Sequence, residues 1–164
     1  MSRNQRNLTA WFPEIVADLK RLRARNLVLD CEVAAFDENL VSHLGYLRTP
    51  RRRSSGVIIT PPILVAFDCL LLGGKDLCSE PLAERRERLE RALRNSGRHL
   101  LIARRLSGNG LEAWAEVKRK GYEGLVAKRE DSPYVPGAVT ANWFKVKHRI
   151  RVGWPEEGIE RRRV

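Results

Sequence analysis

Cysteine is scarce in this chain, and the three present, Cys31, Cys69 and Cys78, show no pattern. They form an odd set without C-x-x-C or Cys/His spacing, so neither a zinc site nor a disulfide framework is expected, and a reducing cytoplasm is the compartment inferred. Long apolar runs are missing too. The longest, Ile63 to Leu72, is broken by Asp68 and is too short to cross a bilayer, while Met1 to Asn7 holds no apolar stretch of the kind found in secretory signals. Neither secretion nor a membrane span is expected. Acidic residues are also in deficit, 20 against 31 lysines and arginines, which leaves a formal net charge of +11 and a pI near 10.3.

What is present describes a folded chain with an anionic partner. A composition of 43% hydrophobic and 31% charged residues argues against wholesale disorder. The 164 residues suit one domain better than two. Surplus positive charge favours a polyanion through counterion release, with nucleic acid ahead of anionic membrane. The plainer reading is that the arginines reflect base composition and serve only solubility.

Pro13 followed by Ile15, Leu19 and Leu22 predicts an amphipathic helix ending near Asn26, with Asp18, Lys20, Arg21 and Arg23 on other faces. Leu27 to Phe36 reads as an apolar strand closed by the turn Asp37, Glu38, Asn39. Arg51 to Gly56 reads as an exposed basic loop. Ile63 to Leu72 is a second buried strand, leading to a helix through Leu82, Leu89 and Leu93 that Gly97 stops. Leu100 to Ala103 is a short strand. Asn109 and Glu112 have capping-box spacing for a helix terminated by Gly121. Tyr122 to Arg129 and Asn142 to His148 are strands separated by a turn-rich segment whose Pro133 and Pro136 cannot donate to a sheet ladder. The charged tail from Arg149 to Val164 is expected to fray.

Several residues in these elements have two readings. Lys145 and Lys147 share one face of a strand, roughly 7 Å apart at their origins, and suit a phosphate on which both converge. The alternative is a surface strand with Phe144 and Val146 packed inward and both lysines solvated. Glu32 sits in an apolar strand and Glu123 opens another, so each faces a cleft or a cation such as magnesium, or else pairs with an arginine. Phe67 either offers its ring to a base or packs in the core. His43, His99 and His148 stand at no recognisable catalytic or metal-ligand spacing.

Five short strings in one order resemble the ATP-dependent DNA ligases of the covalent nucleotidyltransferase superfamily. Ser2, Arg3, Asn4 and Gln5 resemble the S-R-N motif that follows the nucleophile, and Leu29 to Glu32 the L-D-G-E motif with Cys31 replacing glycine. Ala66, Phe67 and Asp68 resemble the F-D motif, Glu123 to Lys128 the E-G-[LIV]-x-x-K motif, and Trp143 to Lys147 the W-x-K-x-K motif. The resemblance covers residues 2 to 148. It implies an α+β, ATP-grasp-like nucleotidyltransferase core with antiparallel sheets flanked by helices, a nucleotide cleft between them, and first strands missing at the N-terminus. It further implies that Glu32 contacts the ribose, Phe67 stacks on adenine, Glu123 serves the metal, Lys145 and Lys147 bind the α-phosphate, and Arg3 contacts the nucleotide or the DNA. ATP and Mg2+ would be the cofactors and nicked double-stranded DNA the partner, for repair or recombination.

The sequence departs from that pattern in four places. None of its seven lysines is followed by x-Asp-Gly, so the motif carrying the lysine nucleophile is absent and self-adenylation is not expected. An upstream segment or a partner chain would have to supply it. The residues after His148 are too few for the OB-fold domain with which ligases continue, which leaves 1–148 as a partial adenylation domain and 149–164 as a tail. Ala138 and Val139 stand where many relatives carry basic residues, and Cys31 adds bulk where the family has glycine. Two rivals stay open: a non-catalytic basic DNA-binding remnant, and an RNA ligase or capping-type nucleotidyltransferase.

Overall fold

In the computed structural model the described residues are 5–38, 41–42, 47, 60–149 and 158–163. The chain divides into two compact units. Met1–Leu77 with Glu84–Ala103 form the first, and Cys78–Ala83 with Arg104–Val164 form the second.

The first unit begins with a 3-10 turn, Thr9–Trp11, and helix α1, Pro13–Arg21. Proline suits a first helical position, whose amide needs no partner, and Glu14 in the first turn with Lys20 and Arg21 in the last complement the helix dipole. The helix stops before the expected Asn26, because Leu22 turns extended and Asn26 adopts a left-handed φ of 47°. Strands β1, Val28–Ala34, β2, Ile63–Leu72, β3, Lys75–Asp76, and β4, Leu100–Ile102, form one sheet in which β2 pairs with all three others. The β1 and β3 pairings are antiparallel as expected, whereas β4 runs parallel to β2.

Helix α2, Leu82–Ala92, starts in the second unit and continues into the first, where its buried stripe meets the sheet. Leu89 and Leu93 join Ala66, Cys69 and Leu77 as the core, with Leu22, Leu27, Leu29, Cys31, Leu72 and Ile102 packed against them. The same stripe carries two arginines. Arg85 and Asp68 are both 0% exposed and meet in a two-pronged bond, Nε to Oδ1 at 2.8 Å and Nη2 to Oδ2 at 2.8 Å. A charge this deep needs its partner, since an unpaired buried ion costs several kcal/mol.

Three expectations for this unit are corrected by packing. Asp18, read as a polar-face residue, is buried and accepts bonds from the His99 backbone amide at 3.0 Å and Arg21 at 3.2 Å, with His99 Nδ1 2.9 Å away. His99, which spacing left without a role, is thus a structural partner. Gly97 lies beyond the end of α2 at Ala92, and its lack of a side chain serves Asp18, whose carboxylate fills the place of a Cβ.

The second unit holds helix α3, Gly110–Lys120, and strands β5, Gly124–Lys128, β6, Trp143–Arg149, and β7, Gly158–Arg163. The predicted capping box forms: the Asn109 side chain accepts from the amides of Leu111 and Glu112, and the Glu112 carboxylate accepts from the Asn109 amide. Gly121 ends the helix with a left-handed φ of 68°, a conformation that costs glycine little. The sheet is antiparallel in the order β5-β6-β7. Its third strand replaces the frayed tail: residues 158–163 satisfy the edge of β6 instead of hanging free. The turn-rich segment after β5 also meets the start of α2, where Leu82 and Ala83 donate their amides to the carbonyls of Ser132 and Glu130, two of the donors a helix start leaves unpaired.

Two outcomes are expected. Arg85→Met strands the buried Asp68 carboxylate and lowers stability by about 3–5 kcal/mol, read as a shift in urea midpoint without a change in slope. Asp18 is held below the ordinary carboxylate range, chiefly by the His99 amide. Its contribution is therefore complete above the unfolded carboxylate range and is lost as pH falls through the lowered value. Asp18→Asn is expected to flatten the acid limb of stability measured from about pH 6 to about pH 3.

Candidate functional site

Glu32 and Phe67 belong to the first unit. Asp30 and Glu32 share a face of β1, while Leu29 and Cys31 alternate onto the core side. Glu32 is exposed, and so free of the burial that would force a carboxylate into an ion pair. Cys31 replaces glycine without strain. Its φ is not positive, and its half-buried side chain packs on the core, where burial pushes the thiol above its ordinary range.

Phe67 owes its setting to an irregular strand. β1 and β2 pair as Asp30 with Asp68 and then Cys31 with Ala66, so Phe67 is the extra residue of a bulge. Such insertions re-aim a side chain that strict alternation would send elsewhere. Phe67 is half-buried. Asp68, the other half of this motif, is structural: it belongs to Arg85.

Glu123, Lys145 and Lys147 belong to the second unit, and the β5–β6 register brings them together. Gly124 is opposite Lys147 and Val126 opposite Lys145. Just before Gly124, Glu123 accepts the His148 amide at 2.8 Å through its carbonyl, while its carboxylate meets Lys147 Nζ at 2.8 Å. That lysine bond is the main reason the Glu123 carboxyl is held below its ordinary range. With Glu123 71% and Lys147 37% exposed, the pair lies in water and contributes little to stability, about 0–1 kcal/mol.

On β6 Phe144, inward in the surface-strand reading, is 40% exposed, and Lys145 and Lys147 are partly exposed. Farther along the lysine face, Lys128 lies over the Trp143 ring, 3.6 Å from its centre, and Tyr134 meets that ring edge-on at 5.4 Å. The first and last residues of the E-G-L-V-A-K string therefore do different work. Glu123 engages a lysine at the polar end of the strand pair, and Lys128 anchors the aromatic end. Gly124 explains the residue between them: a Cβ there would collide with the Val146 carbonyl oxygen of β6.

Sequence reasoning missed Arg85 and Arg86, which hold the Phe67-Asp68 segment from α2. Their signal was available, since positions 85 and 86 fall on the stripe set by Leu82 and Leu89. Ser2, Arg3, Asn4 and the basic loop from Arg51 to Gly56 lie outside the described residues. Among the described residues no three His, Cys, Asp or Glu side chains are grouped to hold a metal, and no helix is long and apolar enough to cross a membrane.

The family model described as ATP dependent DNA ligase domain matches residues 1–147. The chain belongs to this family. It is 38% identical over 146 residues to the multifunctional non-homologous end joining protein LigD of Mycolicibacterium smegmatis, which spans 89% of this chain but 18% of that protein. The crystal structure of the ligase domain from M. tuberculosis LigD matches with a TM-score of 0.72 at 33% identity, covering 90% of this chain and 46% of that one. A mycobacterial DNA ligase D complexed with ATP and MES matches with the same TM-score at 32% identity and the same coverage. The chain therefore spans a fraction of these ligase-family relatives. The fold expected from the motifs, mixed helices and largely antiparallel sheets, is the fold found.

The close approach at Gly124 is directly testable. Gly124→Ala is expected to destabilise the β5–β6 pair by about 1–3 kcal/mol, the usual range for overpacking. Hydrogen exchange should show lost protection at the β5 and β6 amides before those of β1 and β2 change.

Proposed function

We propose that these residues are the nucleotide-binding part of an ATP-dependent DNA ligase that seals nicks in double-stranded DNA through adenylated intermediates, in repair or recombination within the cytoplasm. The supporting observation is the ion pair of Glu123 with Lys147 on the strand face that also presents Lys145, in a chain that matches the ligase domain over residues 1–147. A solved relative complexed with ATP supports the choice of nucleotide.

Each residue then has a chemical task. Lys145 and Lys147 contact the α-phosphate and offset charge that develops on it during transfer. Phe67 stacks on adenine, Glu32 bonds the ribose, and Arg3 contacts the nucleotide or the DNA. Glu123 is the carboxylate for magnesium. One carboxylate suits that ion, which usually keeps several waters and completes its shell with substrate phosphates. When bound, the metal would neutralise phosphate charge. The nucleophile is none of the seven lysines in this sequence, because none precedes x-Asp-Gly. An upstream segment or a partner chain supplies it.

A second reading, a basic DNA-binding module without nucleotide chemistry, draws on the net charge of +11. Incubation with α-labelled ATP and magnesium, followed by native filter binding and denaturing electrophoresis, separates the two. The ligase reading expects ATP binding that Lys145→Ala weakens about 10- to 100-fold, the scale of a charged hydrogen bond, with no label surviving denaturation. Surviving label would place a nucleophile within these residues. Salt-sensitive DNA binding without ATP binding would establish the second reading instead.

A further inference from the structure

Two consecutive arginines of α2 hold two consecutive residues of β2. Arg85 takes the Asp68 carboxylate with both prongs at 2.8 Å. Arg86, 7% exposed, donates from Nη1 to the Phe67 carbonyl at 3.2 Å and from Nη2 to the Ala103 carbonyl at 2.8 Å. Ala103 in turn donates its amide to the Ala66 carbonyl at 2.7 Å. The backbone at the bulge and just before it is thus tied to one guanidinium, directly at residue 67 and through Ala103 at residue 66.

This matters because a bulge is where register is least secure. A one-residue slip would restore pairing with β1 and move Phe67 to the other face of the sheet. The pair of anchors from α2 resists such a slip. We infer that Arg86 is a positioning residue for Phe67, fixing the backbone from which the ring is presented to the base, and so contributes to recognition of adenine without touching the nucleotide. This inference rests on Phe67 being the base-stacking residue, as proposed above.

A double-mutant cycle on the full chain tests it, with ATP and inorganic tripolyphosphate as probes. Phe67→Ala is expected to weaken ATP binding about tenfold, within the range for loss of one base-aromatic stack. Arg86→Met should weaken it comparably, and the double variant no more than Phe67→Ala alone. Tripolyphosphate, which has no base, should bind all three like the parent chain.

A merely structural Arg86 gives a different pattern. Additive losses, equal loss of tripolyphosphate, or parental ATP affinity in folded Arg86→Met would each overturn the inference. If Arg86→Met does not fold, Arg86→Lys takes its place, keeping the charge and reaching one carbonyl of the two. A loss of about two- to fivefold that vanishes in the Phe67→Ala background is then expected, and parental affinity overturns it. Parental affinity in Phe67→Ala removes the stacking role itself and this inference with it. A weakened Phe67→Ala beside an unaffected Arg86 variant removes this inference alone.

Discussion

A carboxylate and a guanidinium with no access to water, Asp68 and Arg85, decide how the first unit is put together. Each would be intolerable there alone. Together, with both carboxylate oxygens engaged and Asp68 Oδ1 also accepting the Cys69 amide, the desolvation is offset by directional bonds that hydrophobic packing cannot supply. Leucine stripes bring α2 and the sheet into contact, but they allow neighbouring registers. The ion pair admits one, because a shift of a single residue would leave two buried charges facing apolar side chains. That register also fixes the bulge at Phe67 and the half-buried setting of its ring.

The second unit relies on close approach. β5 can lie against β6 only because Gly124 presents no side chain to the Val146 carbonyl oxygen. The same contact brings Glu123 and Lys147 within 2.8 Å. Lys128 and Trp143, directly opposed in the ladder, close the other end of the pair with a cation over an aromatic face. Polar chemistry and an aromatic anchor thus occupy opposite ends of two short strands. The outward-facing residues between them need satisfy only alternation.

Most of the elements were legible because their periodicities are strong. The capping box at Asn109, the glycine stop at Gly121 and the strands around Glu32, Phe67 and Lys145 all formed near the places predicted. Three charged residues were misplaced or passed over for one reason. Asp18, Arg85 and Arg86 are charged residues on the buried stripes of their helices, and a reading that assigns charge to solvent puts them on the wrong face. The tail after His148 failed differently: the run of three arginines that ends its strand gives no apolar signal, and only the open edge of β6 gives it a partner.

By itself the sequence determined the family, the order of the elements and the chemical types available at each motif, since these depend on residue identity and on spacing along the chain. It could not decide which charges are buried, where β2 bulges, or which lysine Glu123 meets. Those depend on distances between residues far apart in the chain, Asp68 with Arg85, Asp18 with His99, Glu123 with Lys147. A buried charge has a tolerable energy only once its partner is in place, and tertiary structure alone brings the partner there.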